Sequence, residues 1–275
     1  MHIPRFSGKK WQYWMQQRKI KRFEGRFGKI NSFNTLKNHY LHNKIILLMT
    51  NFWEILKHGE KVIASVQQAP SSSDLTFNKN VTPAFDMILV NSSDGNLRLI
   101  IFMRIKMNFI REAESTEWTI FEKSNFEKKF NTVINDKWAS SLSIMTLTKN
   151  KRVYLDFKFS FTNMSSAFPP SHWSITVRKI PKRYDGYQSL VTPSRRTAEL
   201  DNQDFDLERK IRGTYQRGVV HEFGHLLGYD DEYRAGSKYY TDVNSIMNAG
   251  ETIRQRHRSH YMTWLSMTLK AKKIN

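Results

Sequence analysis

His221-Glu222-Phe223-Gly224-His225-Leu226-Leu227-Gly228-Tyr229-Asp230-Asp231 reads H-E-x-x-H-x-x-G-x-x-D. Side chains four apart on a helix lie one above the other, so His221 and His225 can reach one metal ion from the same face. Glu222 is not needed as a ligand, which leaves its carboxylate free to take a proton from water at the metal. Gly228 can enter the left-handed conformation at little cost, so the helix is expected to stop there and the chain to turn back. The turn brings residue 231 toward the metal from another direction. Asp231 is preferred as third ligand over Asp230 and Glu232, because the turn after Gly228 has a fixed reach. Three protein ligands and one open position are the donor set of a catalytic zinc site. The alternative is a helix with two surface histidines and a glycine stop.

The surrounding chain sets the frame. It has 275 residues, 39% hydrophobic and 13% aromatic, enough for a substantial core. It has no cysteine, which excludes disulfides, thiolate metal sites and a cysteine nucleophile. Forty-four basic against 25 acidic residues give a net charge of +19. That excess attracts polyanions such as nucleic acid, anionic lipid or an acidic partner, or it is simply a solvated basic surface. No apolar h-region follows the basic start, so export would need a route that reads no ordinary signal peptide. The run Ile45-Ile46-Leu47-Leu48-Met49 is too short and too soon interrupted to span a bilayer.

Residues 1–44 form a basic head in which Trp11, Tyr13, Trp14, Phe23 and Phe27 are interleaved with Lys and Arg. Such a segment serves nucleic acid, a membrane surface or a chaperone, or is a flexible delivery segment. Leu41, Ile45, Leu48, Phe52 and Ile55 predict a helix or a helical pair over 36–66. The reading is thus a head with a helical segment over 1–67, a Pro- and Ser-containing linker over 68–83, and a catalytic domain over 84–275.

Within that domain, Phe85–Val90, a turn at Ser92–Asn96 and Leu97–Ile110 predict a hairpin. Residues 116–139 predict an amphipathic helix with Trp118, Phe121, Phe126, Phe130, Val133 and Trp138 inward. Residues 151–162 alternate as a strand, Trp173–Ile180 is another, residues 181–194 a loop, and Arg196–Asp201 a short strand. The catalytic helix is expected over 215–229, with Val219, Val220, Phe223, Leu226 and Leu227 buried away from the metal. A polar loop over 232–244 and a terminal helix over 258–272 follow.

The motif resembles the signature of metzincin zinc metallopeptidases, with aspartate as third ligand as in the snapalysin-type variant. Ser245-Ile246-Met247-Asn248 is similar to the tight Met-turn under the metal in that clan. Together with Arg196–Asp201, the run from His221 to Tyr233 and His260-Tyr261, these stretches resemble metallopeptidase domains of bacterial polymorphic toxins and contractile-injection effectors. The resemblance implies an α+β, zincin-like fold: a twisted, mostly parallel sheet, a backing helix, the catalytic helix, and a small C-terminal part with Met-turn and terminal helix. It implies a zinc-dependent endopeptidase, holding its peptide as an added strand at a sheet edge that the sequence does not identify. It also implies a secreted or injected effector, with a secretion apparatus, chaperone or immunity protein as partners. Some metzincins place a tyrosine two residues beyond the turn methionine; here that position is Ala249. Tyr239, Tyr240, His260 and Tyr261 remain candidates for contacting the transition state, the last two favoured by the resemblance. The contrasting reading is an inactive scaffold whose basic head binds nucleic acid, anionic membrane or a partner protein.

Overall fold

A computed structural model describes residues 55–69, 84–139, 145–148, 151–163, 170–181, 187–210 and 213–274. The chain separates into two units, Met1–Leu56 and Lys57–Asn275, and the second carries the fold below. The basic head, the helical stretch up to residue 54 and residues 70–83 of the expected linker lie outside the described residues.

The second unit is α+β, built on one mixed sheet whose central pairings are parallel. Strand β1 (Lys61–Ala69) pairs antiparallel with β2 (Phe85–Asn91), which pairs antiparallel with β3 (Leu97–Arg111). The helical expectation therefore fails over 61–66. Val62, Ile63 and Val66 are β-branched and fit a pleated strand better than a helix. The sheet also begins before the expected linker, not after it at residue 84. Buried Arg98 explains part of this: its Nε donates to Glu60 Oε1 at 2.8 Å, tying the entry of β1 to β3.

The β2–β3 hairpin forms as its sequence predicts. Gly95 takes φ +81°, and Asp94 Oδ1 accepts from the Asn96 amide at 3.0 Å. β3 is long enough to serve two neighbours in succession on one flank. β2 pairs with its first half and β6 (Trp173–Lys179) with its second, while β5 (Lys151–Thr162) runs parallel along the opposite flank. At the junction between β2 and β6, Arg104 has no strand partner on that flank. His172 takes that place: its Nδ1 accepts from the Arg104 amide at 2.9 Å and its own amide donates to the Arg104 carbonyl at 2.8 Å. The Arg104 guanidinium and the His172 Nε2 both meet buried Asp86, whose carboxyl burial would raise but whose two partners hold low.

β4 (Met145–Thr148) pairs antiparallel with β5. Beyond β6 come β8 (Thr197–Asp201), parallel, and then β7 (Leu190–Thr192), antiparallel to β8 at the end of the sheet. Part of the expected loop over 181–194 is thus an edge strand.

Helix α1 (Ile120–Ile134) covers one sheet face. Thr119 and Glu122 form a capping box, and Lys179 reaches Glu122 at 2.6 Å. Phe126, Phe130 and Ile134 recur every four residues and are buried. Phe121 is 79% exposed, against expectation. It lies five residues before Phe126, about 140° round the helix, and so faces water. A wide π-turn (Asn135–Ala139) follows and buries Trp138, whose Nε1 donates to the Val220 carbonyl at 3.1 Å.

The chain returns through a two-stranded ribbon, β9 (Glu208–Arg209) with β10 (Tyr215–Gln216), into helix α2 (Gly218–Leu226). The helix expected over 215–229 is therefore shorter at both ends. Val219, Val220, Phe223, Leu226 and Leu227 are all buried. Phe223 packs edge-on against Phe157, Trp138, Phe159 and Phe130, with centroids 5.3–6.1 Å apart. Helix α3 (Ser259–Ala271) closes the fold, burying Tyr261, Leu265 and Leu269. No helix among the described residues is long and apolar enough to cross a membrane.

Candidate metal centre

The exit of α2 builds the site. Gly228 takes φ +98°, its amide donates to the His225 carbonyl at 2.9 Å, and the Tyr229 amide reaches back to the Gly224 carbonyl at 3.0 Å. This paired Schellman closure needs a left-handed residue, which glycine supplies without strain. The chain then doubles back and puts Asp231 beside the two histidines. His221 Nε2 lies 3.3 Å, and His225 Nε2 3.1 Å, from Asp231 Oδ1. The imidazole planes are nearly perpendicular, at 86°.

These separations bear on whether an ion fits. Tetrahedral bonds of 2.0–2.1 Å from zinc to nitrogen and oxygen leave neighbouring donor atoms about 3.3 Å apart. His221, His225 and Asp231 offer three such atoms, all within 4.8 Å of one another, so this group can hold a metal ion. Both rings aim Nε2 inward because Nδ1 is committed elsewhere. His221 Nδ1 donates to the Ile246 carbonyl at 2.7 Å and His225 Nδ1 to the Tyr229 carbonyl at 2.6 Å. Asp231 Oδ1, although buried, has no hydrogen bond that satisfies it. Arg234 holds the other oxygen at 2.8 Å.

Two neighbours compete with Asp231 in sequence. Asp230 is exposed, and Glu232 is bound by Arg256 through two contacts of 2.6 Å and by His257 at 3.3 Å. Neither joins the histidines.

Glu222 is 8% exposed, and its Oε2 is buried without a partner. Burial pushes its carboxyl up, against the pull of His221 and His225. Burial would also raise Asp231, but the adjacent imidazoles of His221 and His225 outweigh it and hold that carboxyl far below the usual range. Unpaired polar atoms of this kind cost free energy unless something binds them. Two of them, both under the influence of the aimed imidazoles, suit a cation and a water.

Met247 lies under the helix. A Cβ at Gly224 would meet its Sδ at 2.2 Å, so glycine is what lets the turn approach α2. The turn is tied to the chain beyond the helix by the Glu232 amide, which donates to the Met247 carbonyl at 2.7 Å.

Tyr261 is not brought to the site. It is 1% exposed and its hydroxyl donates to the His257 carbonyl at 3.0 Å, because the apolar stripe of α3 turns it into the core. The His260 side chain lies outside the described residues. Tyr239 is occupied by Arg256, 4.0 Å above its ring. The tyrosine that the structure does place beside His221 and Asp231 is Tyr233, which sequence reasoning passed over. Its ring lies 24° from parallel to the His221 imidazole with centroids 6.3 Å apart, and its hydroxyl interacts with Asp231. It is 46% exposed, so a bound molecule can reach it. Its place two residues after Asp231 was the available signal.

No protein-family model and no curated protein matches the chain. Among solved structures, a match titled "Structure of a chaperone-substrate complex" has 13% identity and a TM-score of 0.25, covering 67% of this chain. The chain spans 41% of that protein's length.

Proposed function

We propose that the chain is a zinc-dependent endopeptidase. The observation that supports it most is the spacing of the His221, His225 and Asp231 donor atoms at a tetrahedral edge, with the buried Glu222 carboxyl, its Oε2 unpartnered, next to His221 in the chain. Bound there, zinc supplies Lewis acidity to the scissile carbonyl and to a water. Glu222 accepts the proton of that water as its oxygen bonds to the carbonyl carbon, then returns it to the amide nitrogen as the C–N bond breaks. The Tyr233 hydroxyl is the donor best placed to meet the oxyanion. Residues 190–192 offer the substrate a strand to pair with: β7 ends the sheet, and its outer edge has no partner among the described residues.

The zincin-like and Met-turn assignments belong to this same reading, as does a role as an injected or otherwise secreted effector, which rests on the motif resemblance alone. The test is direct. Purified protein should carry about one zinc per chain by mass spectrometry and cleave labelled casein, and Glu222→Gln should keep the metal and lose cleavage. Cleavage that persists in Glu222→Gln refutes the reading. The charge of +19 favours the contrasting role, a polyanion-binding scaffold; zinc-free protein that binds DNA or anionic vesicles with steep salt dependence would establish it.

A further inference from the structure

The two histidines of the centre are oriented by different means. His225 is set locally: its Nδ1 partner, the Tyr229 carbonyl, belongs to the same helix exit. His221 depends on the Ile246 carbonyl, which arrives from a loop 25 residues away. What holds that carbonyl decides how well the His221 ring is held.

The same carbonyl accepts a second hydrogen bond, from Gln216 Nε2 at 2.8 Å. Gln216 is 4% exposed, and its nitrogen also donates to the Gly250 carbonyl at 2.8 Å and approaches the Asn248 carbonyl at 3.3 Å. Three carbonyls around one end of the amide identify that end as NH2, since an oxygen there would face only acceptors. Gln216 is itself fixed as a member of the β9–β10 ribbon, paired with Glu208 and just ahead of α2. One side chain upstream of the helix thus gathers the loop around Met247 and presents one of its carbonyls to a ligand five residues downstream.

We infer that Gln216 is a positioning residue for the metal centre. It fixes the Ile246 carbonyl, which keeps the proton of His221 on Nδ1 and its Nε2 lone pair toward the ion. The inference rests on the metal-centre reading above. Without Gln216 the loop still has the Thr252 and Glu232 contacts to hold its main chain, but the carbonyl is free to tilt from the ring.

Gln216→Met keeps length and volume and removes the donors. Zinc affinity, measured by competition with a chromogenic chelator, should fall about 10- to 100-fold, the range for partners that orient a ligand. Thr214→Val is the control: Thr214 Oγ1 donates to the Ala249 carbonyl in the same loop without touching Ile246. It should lower the melting temperature and leave zinc affinity within about twofold. Gln216→Asn, a milder change, should fall between wild type and Gln216→Met and keeps the test open if the methionine variant does not fold. On metal-free protein, imidazole 15N spectra should show His221 protonated at Nδ1 in wild type and a tautomer mixture in the variants, with His225 unchanged. An unchanged zinc affinity and tautomer in both Gln216 variants, or equal loss in Thr214→Val, overturns the proposal. Wild-type protein that binds no zinc defeats the metal reading instead, and the tautomer spectra then decide Gln216 on their own.

Discussion

Gly224 and Met247 share a space that holds only one side chain: a Cβ on Gly224 would sit 2.2 Å from Met247 Sδ and 3.2 Å from the Trp138 ring. This contact sets the sign of a substitution. In an unpacked helix, Gly→Ala stabilises by about 1 kcal/mol. Here Gly224→Ala is expected to destabilise by about 1–3 kcal/mol through overpacking, read from urea unfolding. Met247→Ala should relieve the clash, so the double variant loses less than the sum of the single losses. Additive losses would show that the contact is not the cause.

Asp231→Ala should weaken zinc binding by orders of magnitude, while Asp230→Ala should leave it near wild type. The two carboxylates are adjacent in sequence, yet only Asp231 points its oxygen at both histidines. Equilibrium dialysis against zinc separates them. Equal loss in both variants would mean that neighbouring charge, not ligation, matters.

Tyr233→Phe should keep zinc and lower kcat by about 10- to 100-fold, with little change in KM, as expected for a donor used mainly in the transition state. A phosphonamidate peptide, which imitates the tetrahedral oxyanion, should lose affinity in parallel with kcat/KM. An undiminished phosphonamidate affinity would remove Tyr233 from the mechanism.

Asp204 predicts a pH dependence of stability. It sits where a side chain on Gly218 would have to be, at the start of α2, and its Oδ2 accepts from Ser189 Oγ at 2.6 Å and from the Asp201 amide at 2.8 Å. Burial, and then the nearby Asp201 charge, push its carboxyl up to about 8 from 3.8. The folded chain therefore holds a proton that the unfolded chain has released, and stability falls as pH rises through that window. Asp204→Asn, which stays neutral, should melt higher than wild type at pH 8–9, with the difference closing toward pH 4. A difference that does not vary with pH would rule out ionisation of Asp204 as its origin.

Strands with clean alternation were legible in sequence, as Val153, Leu155 and Phe157 show: a period of two survives in any context that buries one face. So was the glycine stop at Gly228, a local conformational requirement. Strand β1 was not, because its residues gain their partner only when β2 arrives from beyond the linker region. Phe121 misled for a related reason, since hydrophobicity alone does not say which side of a helix the first turn shows to the core.

The sequence by itself determined the donor set: two histidines one helical turn apart, a carboxylate between them and a glycine where the chain must reverse. Spacing along a helix and around a tight turn is local geometry, so it can be read from residue order. Tertiary structure alone decided which tyrosine stands beside them, and that Gln216 and Ile246 lie behind His221. Those are meetings between distant segments, and they exist only once the packing of α2 on the Met247 loop has closed the distance.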